Sequence, residues 1–261
     1  MTAQKLPIGI QSFEKIIKEK YIYVDKTRYI VQRLKGQVYF LSRPRRFGKS
    51  LFLSTLAAYF RGQKELFKGL YLEKAEEELA RQEGREAWQE YPVLYLDLNG
   101  SNYKEAQSLA INLNDHLTLW EGLYGIAPSE QDFSMRFKGV IRRAYEKTGH
   151  QVVILMDEYD KPLLDTIEQP ELNENHRDIL RAFYSVIKSS DIYLRFVFLT
   201  GITKFGKVSV FSGLNNLKDI SMREDFSAIC GITAQELREN LTSYVESLAA
   251  KQKLQMSEAL E

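Results

Sequence analysis

The stretch "VYFLSRPRRFGKSLFLSTLAAYF", residues 38–60, decides the fold of this chain. Residues 38–42 are apolar enough for a buried strand, and residues 49–61 carry apolar side chains at helical spacing. Between them lies the tripeptide G-K-S at 48–50, the second half of the phosphate-binding pattern G-x-x-x-x-G-K-S/T. The first glycine of that pattern is replaced by Arg43. The loop is therefore either a variant nucleotide site or an ordinary surface loop before a helix.

The chemistry of a phosphate loop assigns a role to each residue of the tripeptide. Backbone N–H groups around Gly48 would point at the phosphates from the start of the helix. The Lys49 ammonium would bridge the phosphates, and the Ser50 hydroxyl would hold Mg²⁺. Pro44 would stiffen the turn that the missing glycine normally opens.

A second pattern follows about 100 residues downstream. The apolar run 152–156 is predicted to be a buried strand, and it ends in Asp157 and Glu158. In a Walker B strand, Asp157 would hold Mg²⁺ through water, opposite Ser50, and Glu158 would polarise the attacking water as general base. The plain alternative is an acidic strand end that meets solvent. That alternative does not explain the order of the two patterns, which together favour a nucleotide site.

Further apolar runs and helical patterns define the rest of the fold. Strands are predicted over 92–98, 192–202 and 217–222, and helices over 64–90, 104–120, 129–147, 173–189 and 233–249. Near-continuous apolar strands that alternate with helices are typical of a parallel sheet covered on both faces. We predict an α/β P-loop NTPase three-layer sandwich, with a central parallel sheet of the additional-strand type and a helical C-terminal tail.

Two units are expected along the chain. Residues 1–232 form the P-loop ATPase domain, and residues 233–261 form the helical tail or the start of a lid. Thr233 and Glu236 have the spacing of a capping box that opens the last helix.

The end of the fourth strand carries candidate sensors of the γ-phosphate. In the additional-strand arrangement, this strand lies between the phosphate-loop strand and the acidic strand. It ends here at Thr200, followed by Thr203 and Lys204. Thr200 is equally consistent with a hydroxyl that caps the loop, and Lys204 and Lys207 with ordinary loop lysines.

The composition narrows the function classes. The chain has 36 basic and 35 acidic residues, so no global charge favours nucleic acid or a membrane. Cys230 is the single cysteine, which excludes an internal disulfide and a Cys/His zinc cluster. The start lacks the apolar core of a secretion signal, and the apolar runs are too short to span a bilayer. We therefore expect a cytoplasmic protein without membrane association.

Rival nucleotide-binding classes lack their own signatures. A GTPase would carry N-K-x-D or T-K-x-D, whereas Gly206 stands where the aspartate should follow Thr203 and Lys204. A small-molecule kinase would lack the water-activating Glu158 beside its metal ligand. ATP hydrolysis is the better interpretation.

The order of several stretches matches a known family. They are "LPIGIQSFEKI" at 6–16, "YIYVDKTRYI" at 21–30, "FLSRPRRFGKSLFLSTL" at 40–56, "VVILMDEYDKPL" at 152–163, "FLTGITKFGKVSVFSGLNNLKDIS" at 198–221 and "GITAQEL" at 231–237. On these stretches the chain resembles the AAA-ATPase-like family of bacterial proteins. The family's loop resembles "RPRRFGKS", arginine included. The resemblance implies an ATP-binding P-loop domain.

The resemblance also implies contacts that the residues alone do not. It suggests that "YVDKT" lies near the adenine, with Tyr23 or Tyr21 stacked on the base and Asp25 or Lys26 in polar contact. The residues alone predict only a short strand and a helix cap over 21–30. Family members often continue into a PD-(D/E)XK nuclease-like domain. No acidic residue followed by an E-x-K strand is found in this sequence. Either the second domain is absent or the chain is a fragment whose ATP hydrolysis is coupled to a missing nuclease-like domain or a partner, so no nuclease activity is carried over.

The leading hypothesis is an ATPase. Its catalytic residues are Glu158, Lys49 and Thr200, and its metal ligands are Ser50 and Asp157. The nucleotide-binding set comprises Arg45, Arg46, Phe47, Gly48, Lys49, Ser50, Leu51, Tyr23 and Asp25. Candidates for stabilising transition-state charge, from this chain or a neighbouring copy, are Arg45, Arg46, Arg177 and Arg181.

Two alternatives stay open. One is a slow nucleotide-dependent switch that is read by a protein partner. The other is a nucleic-acid-binding module, in which the loop arginines and the aromatic Tyr39, Phe40 and Phe47 grip a strand. Core packing explains these aromatic residues better.

Overall fold

The fold centres on one parallel sheet. The computed structural model describes residues 4–32, 34, 37–203, 210–211 and 216–252. Its strands are β1 (Val38–Ser42), β2 (Val93–Asp97), β3 (Val152–Asp157), β4 (Leu194–Gly201) and β5 (Lys218–Asp219). Their order is β2-β3-β4-β1-β5, so β4 lies between the phosphate-loop strand and the acidic strand. Every pairing is parallel, which confirms the predicted α/β class and parallel sheet.

Helices cover both faces of the sheet. They are α1 (Phe13–Lys18), α2 (Arg28–Gln32), α3 (Lys49–Phe60), α4 (Tyr71–Glu83), α5 (Ser108–Tyr124), α6 (Phe133–Thr148), α7 (Lys161–Asp165), α8 (Pro170–Ser189) and α9 (Ala234–Gln252). One core holds side chains of α5, α6 and α8, and the other holds side chains of α1, α3 and α4. In the described part of the chain, no helix is both long and apolar enough to cross a bilayer.

Successive side chains along a strand point to opposite faces of the sheet, and they contribute to these two cores in turn. Val38 and Phe40 of β1 lie in the core under α5, α6 and α8, whereas Tyr39 and Leu41 lie in the core under α3. All six residues of β3 are buried. Burial on both faces accounts for the near-continuous apolar runs of the sequence.

Some predicted helix boundaries are wrong for local reasons. The helix predicted over 64–90 is divided into a 3₁₀ turn, Lys64–Phe67, and α4. Gly69 has φ of 84° between the two, and Gly84 ends α4 in the left-handed conformation that glycine adopts without strain.

Two further predictions also need correction. The strand predicted over 217–222 is only the two-residue β5 at the edge of the sheet. The short strand predicted at the start of 21–30 does not form. Tyr21 makes only a single isolated bridge with Lys5. Helix α2 then begins at Arg28.

Helix α9 begins with the predicted capping box. The Thr233 hydroxyl accepts the N–H of Glu236 at 3.1 Å, and the Glu236 carboxylate accepts the N–H of Thr233 at 2.9 Å. The division of the chain at 232/233 stays a prediction, and residues 253–261 of the predicted tail lie outside the described residues.

A buried ion pair ties α9 to the N-terminal part of the chain. Lys26 Nζ lies 2.5 and 2.6 Å from the two carboxylate oxygens of Glu236. Both residues are buried. Burial raises the pKa of Glu236, but the hydrogen bonds from Lys26 and from the N–H of Thr233 outweigh it and hold the pKa below its ordinary value. The stabilisation is therefore present at neutral pH and is lost as the pH falls through that lowered pKa.

We expect Lys26→Met to destabilise the protein by about 3 kcal/mol or more, because it leaves the Glu236 carboxylate buried without its cation. Urea unfolding at neutral pH measures the change. Lys18→Met is the control, since Lys18 pairs with Glu14 on the exposed surface and should leave the unfolding midpoint close to wild type. Equal midpoints for the two variants would contradict a buried pair.

Candidate nucleotide and metal site

The phosphate loop connects β1 to α3 through two residues with positive φ. Arg46 has φ of 63°, and Gly48, the N-cap of α3, has φ of 86°. A side chain at position 48 would be strained in this left-handed conformation, which explains the glycine there. Lys49 and Ser50 then form the first turn of α3.

Arg43 is a structural residue of the loop, a role that the sequence analysis missed. Its guanidinium donates to the carbonyl oxygens of Ser221 and Phe226, the latter at 3.2 Å. Its backbone N–H donates to the carbonyl of Gly201 at 3.2 Å. The arginine therefore fastens the loop to the segment after β5, which a glycine at this position cannot do. Its partners lie more than 150 residues away in the sequence, so no local pattern indicates them.

Lys49 and Glu158 lie next to each other beside the phosphate loop. Lys49 Nζ donates to the carbonyls of Arg43 and Pro44 at 3.1 and 3.2 Å. The same ammonium lies 3.4 Å from Glu158 Oε1, and both side chains are largely buried. Burial raises the pKa of the Glu158 carboxyl; the Lys49 charge opposes this rise, and the charge of Asp157 adds to it. Glu158 also has a positive φ of 54°, which is strained for a non-glycine residue.

Asp157 is held from the neighbouring strand. Thr200 of β4 donates its hydroxyl to Asp157 Oδ1 at 2.5 Å, and both residues are buried. This bond orients one carboxylate oxygen of the predicted metal ligand. The role of Thr200 as a phosphate sensor stays a prediction.

A buried carboxylate that sequence reasoning missed fixes the end of β4. Asp160 accepts the N–H groups of Ile202 and Thr203 and the hydroxyl of Thr203, with distances of 2.7–3.2 Å. A Cβ added to Gly201 would lie 2.4 Å from the Tyr159 ring, so only glycine fits there. Thr203 is thus bound to Asp160, while Lys204 and Lys207 lie outside the described residues.

Ser50 and Asp157 line the same cavity. This cavity has a volume of about 420 Å³, and Asp97, Tyr95, Ser54 and Arg61 also contribute to its wall. The described residues contain no group of three or more His, Cys, Asp or Glu that could enclose a metal by themselves. Mg²⁺ does not need such a group, because it binds one or two carboxylates and completes its shell with water and substrate phosphates. Its preference for oxygen ligands fits this wall.

The N-terminal residues that the resemblance adds make contacts of their own. The Tyr23 ring packs edge-on against Phe13 at 5.0 Å, and its hydroxyl lies 3.3 Å from Thr55 Oγ1. Asp25 accepts the N–H groups of Thr27 and Tyr71 at 2.8 and 2.7 Å. Tyr23 therefore packs between α1 and α3, and Asp25 connects the segment before α2 to the start of α4. A contact of either residue with adenine stays a prediction.

The remaining predicted residues are distributed over the loop and α8. Arg45 and Arg46 are exposed, and Phe47 is 43% exposed over Gly231. Leu51 packs against the core under α3. Arg177 and Arg181 pair with Glu174 and Asp178 on α8 itself.

Arg43→Gly restores the first glycine of the consensus pattern, yet we expect it to destabilise the protein by about 2 kcal/mol. It removes hydrogen bonds from a charged donor to carbonyls of the packed segment. Chemical denaturation measures the difference. Arg45→Gly is the matched control, because it adds the same backbone freedom at an exposed position of the same loop. A variant Arg43→Gly that is as stable as Arg45→Gly would contradict the role of the guanidinium.

Comparison with known proteins identifies the family. A family model described as a predicted AAA-ATPase matches residues 7–211. The chain is 47% identical over 240 residues to the "Uncharacterized protein in vnfD 5'region" of Azotobacter chroococcum mcd 1. That match covers 91% of this chain and 45% of the relative, so the chain spans less than half of the longer protein. The chain belongs to the AAA-ATPase-like family.

Proposed function

We propose that the protein binds ATP with Mg²⁺ at the phosphate loop and hydrolyses it. The observation that carries this proposal is the convergence of two distant sequence patterns. Lys49 lies 3.4 Å from Glu158, and Ser50 shares a cavity with Asp157. The family match supports the nucleotide. The position of β4 between β1 and β3 supports a P-loop domain of the additional-strand type.

Each residue of the site has a distinct task in this proposal. Backbone N–H groups at the start of α3 and the Lys49 ammonium bind the phosphates. Ser50 and Asp157 would hold Mg²⁺, which neutralises charge on the phosphate oxygens when bound. The Thr200 hydroxyl keeps Asp157 in one orientation.

Glu158 is the general base. Its carboxylate accepts a proton from water as the water oxygen bonds to the γ-phosphorus and the bond to the β–γ bridging oxygen breaks. A carboxylate whose pKa is raised by burial accepts a proton more readily. The phosphates compete with Glu158 for the Lys49 ammonium, so nucleotide binding releases the base for this step.

A slow nucleotide-dependent switch is the second candidate function. The contacts that Lys49 makes before nucleotide binds favour it. The ammonium is bound by two loop carbonyls and Glu158. Nucleotide binding must break the contact with Glu158, which slows the cycle and makes two discrete states available to a partner. Comparison of single-turnover and steady-state rates separates the candidates: a burst without sustained turnover favours the switch.

Other features bear on partners. Tyr39 and Phe40 are buried, so a strand-gripping surface would have only Phe47 from the three aromatic residues. The exposed Arg45 and Arg46 are the better candidates for reaching a neighbouring copy, because Arg177 and Arg181 are paired within α8. The cytoplasm, where ATP and Mg²⁺ are available, is the proposed location.

We expect Lys49→Ala to lose ATP binding, because the phosphates lose their buried cation. We expect Glu158→Gln to keep ATP binding and to lose turnover by about 100-fold or more, because the amide cannot accept the proton. Binding is measured by equilibrium dialysis, and turnover by phosphate release. Lys188→Ala and Glu171→Gln, at exposed positions of α8, are the controls.

A Glu158→Gln variant that releases phosphate at the wild-type rate would contradict the assignment of Glu158 as the general base. Unchanged ATP binding by Lys49→Ala would remove the phosphate loop from the nucleotide site altogether.

A further inference from the structure

Asp97 lies beside Asp157 at the carboxyl edge of the sheet. The strands β2 and β3 are parallel neighbours, and Asp97 is in register with Asp157. Residues in register on adjacent strands point to the same face. Tyr95 and Leu155, two positions earlier on each strand, both contribute to the core under α3. Both carboxylates therefore face α3, whose first turn carries Ser50.

The two carboxylates open into one cavity. Asp97, Asp157 and Ser50 all line the cavity of about 420 Å³ described above. Ser54, one turn after Ser50 on α3, lines it as well. Strand spacing sets the two aspartate backbones about 5 Å apart. Two carboxylates and two hydroxyls of this wall are oxygen ligands of the kind that Mg²⁺ and Mn²⁺ prefer, and the wall also carries the Arg61 side chain.

Local contacts hold Asp97 in place without neutralising it. Asp97 Oδ1 accepts the N–H of Asn99 at 2.8 Å. The side chains of Asn112 and His116, on α5, donate to the backbone carbonyl of Asp97 rather than to its carboxylate.

We propose that Asp97 is the second carboxylate of the Mg²⁺ site and that it holds a metal-bound water from the β2 side of the cavity. This inference rests on the proposed ATPase function. Asp97 belongs neither to the phosphate-loop pattern nor to the Walker B pattern. It is a positioning residue, since it acts on the metal through water. The remaining metal ligands would be Ser50, Asp157, water and the nucleotide phosphates.

Mn²⁺ binding tests this role without relying on turnover. The probe is Mn²⁺ with ADP, and the free Mn²⁺ is measured by its EPR signal. We expect Asp97→Asn to weaken Mn²⁺ binding in the ADP complex by about 10-fold or more, because outer ligand-orienting groups typically have effects of this size. The affinity for ADP without metal should stay at the wild-type value. The asparagine keeps an oxygen that accepts the N–H of Asn99, so the turn survives the change.

Three further variants make the result specific. Asp115→Asn, at an exposed position of α5, removes the same charge and should leave Mn²⁺ binding unchanged. Asp97→Glu keeps the carboxylate and should recover most of the affinity. Asp97→Ser is a second neutral variant that replaces Asp97→Asn if the latter does not fold.

The outcomes separate this inference from the function on which it rests. Wild-type Mn²⁺ affinity in folded Asp97→Asn, together with loss of binding in Asp157→Asn, would overturn the role of Asp97 and retain the nucleotide site. A wild-type protein that binds no Mn²⁺ with ADP would overturn both.

Discussion

The buried ammonium of Lys49 is the charge on which the arrangement of the site depends. A buried cation is costly unless it is paired and hydrogen-bonded. Lys49 meets this requirement with the carbonyls of Arg43 and Pro44 and with Glu158. The two carbonyls belong to the loop after β1, and Glu158 directly follows β3, so these partners come from both sequence patterns. The ammonium thus links the phosphate loop to the acidic strand before any nucleotide is bound, and phosphate oxygens can take over contacts that already exist.

The C-terminal strap, residues 220–236, extends this arrangement across the molecule. The carbonyls of Ser221 and Phe226 in the strap accept hydrogen bonds from the Arg43 guanidinium. The ring of Phe47 lies close against Gly231, where an added Cβ would be 2.9 Å from the ring. It ends at Glu236, which is paired with Lys26. The loop is therefore held on one side by the strap and on the other by Glu158.

Much of this organisation could be predicted from the sequence, because its signals are local. Apolar runs predict β1, β3 and β4, and the order of G-K-S and the acidic pair predicts that these residues meet. The roles of Arg43, Asp160 and Asp97 could not be predicted, since they depend on partners brought close only by the parallel sheet. Asp97 in particular is the exposed last residue of a half-buried strand, and only its register with Asp157 indicates a role. The strand predicted over 217–222 forms only as the two-residue β5, because the chain turns after Asp219, whose side chain accepts the N–H of Ser221.

A crystal structure with Mg²⁺ and a non-hydrolysable ATP analogue tests the central claim most directly. The account predicts the triphosphate over the start of α3, with the metal about 2.1 Å from the Ser50 hydroxyl oxygen and on the side of Asp157. Lys49 Nζ should have exchanged Glu158 for a phosphate oxygen. A triphosphate bound elsewhere on the protein, with Lys49 still paired to Glu158, would contradict it.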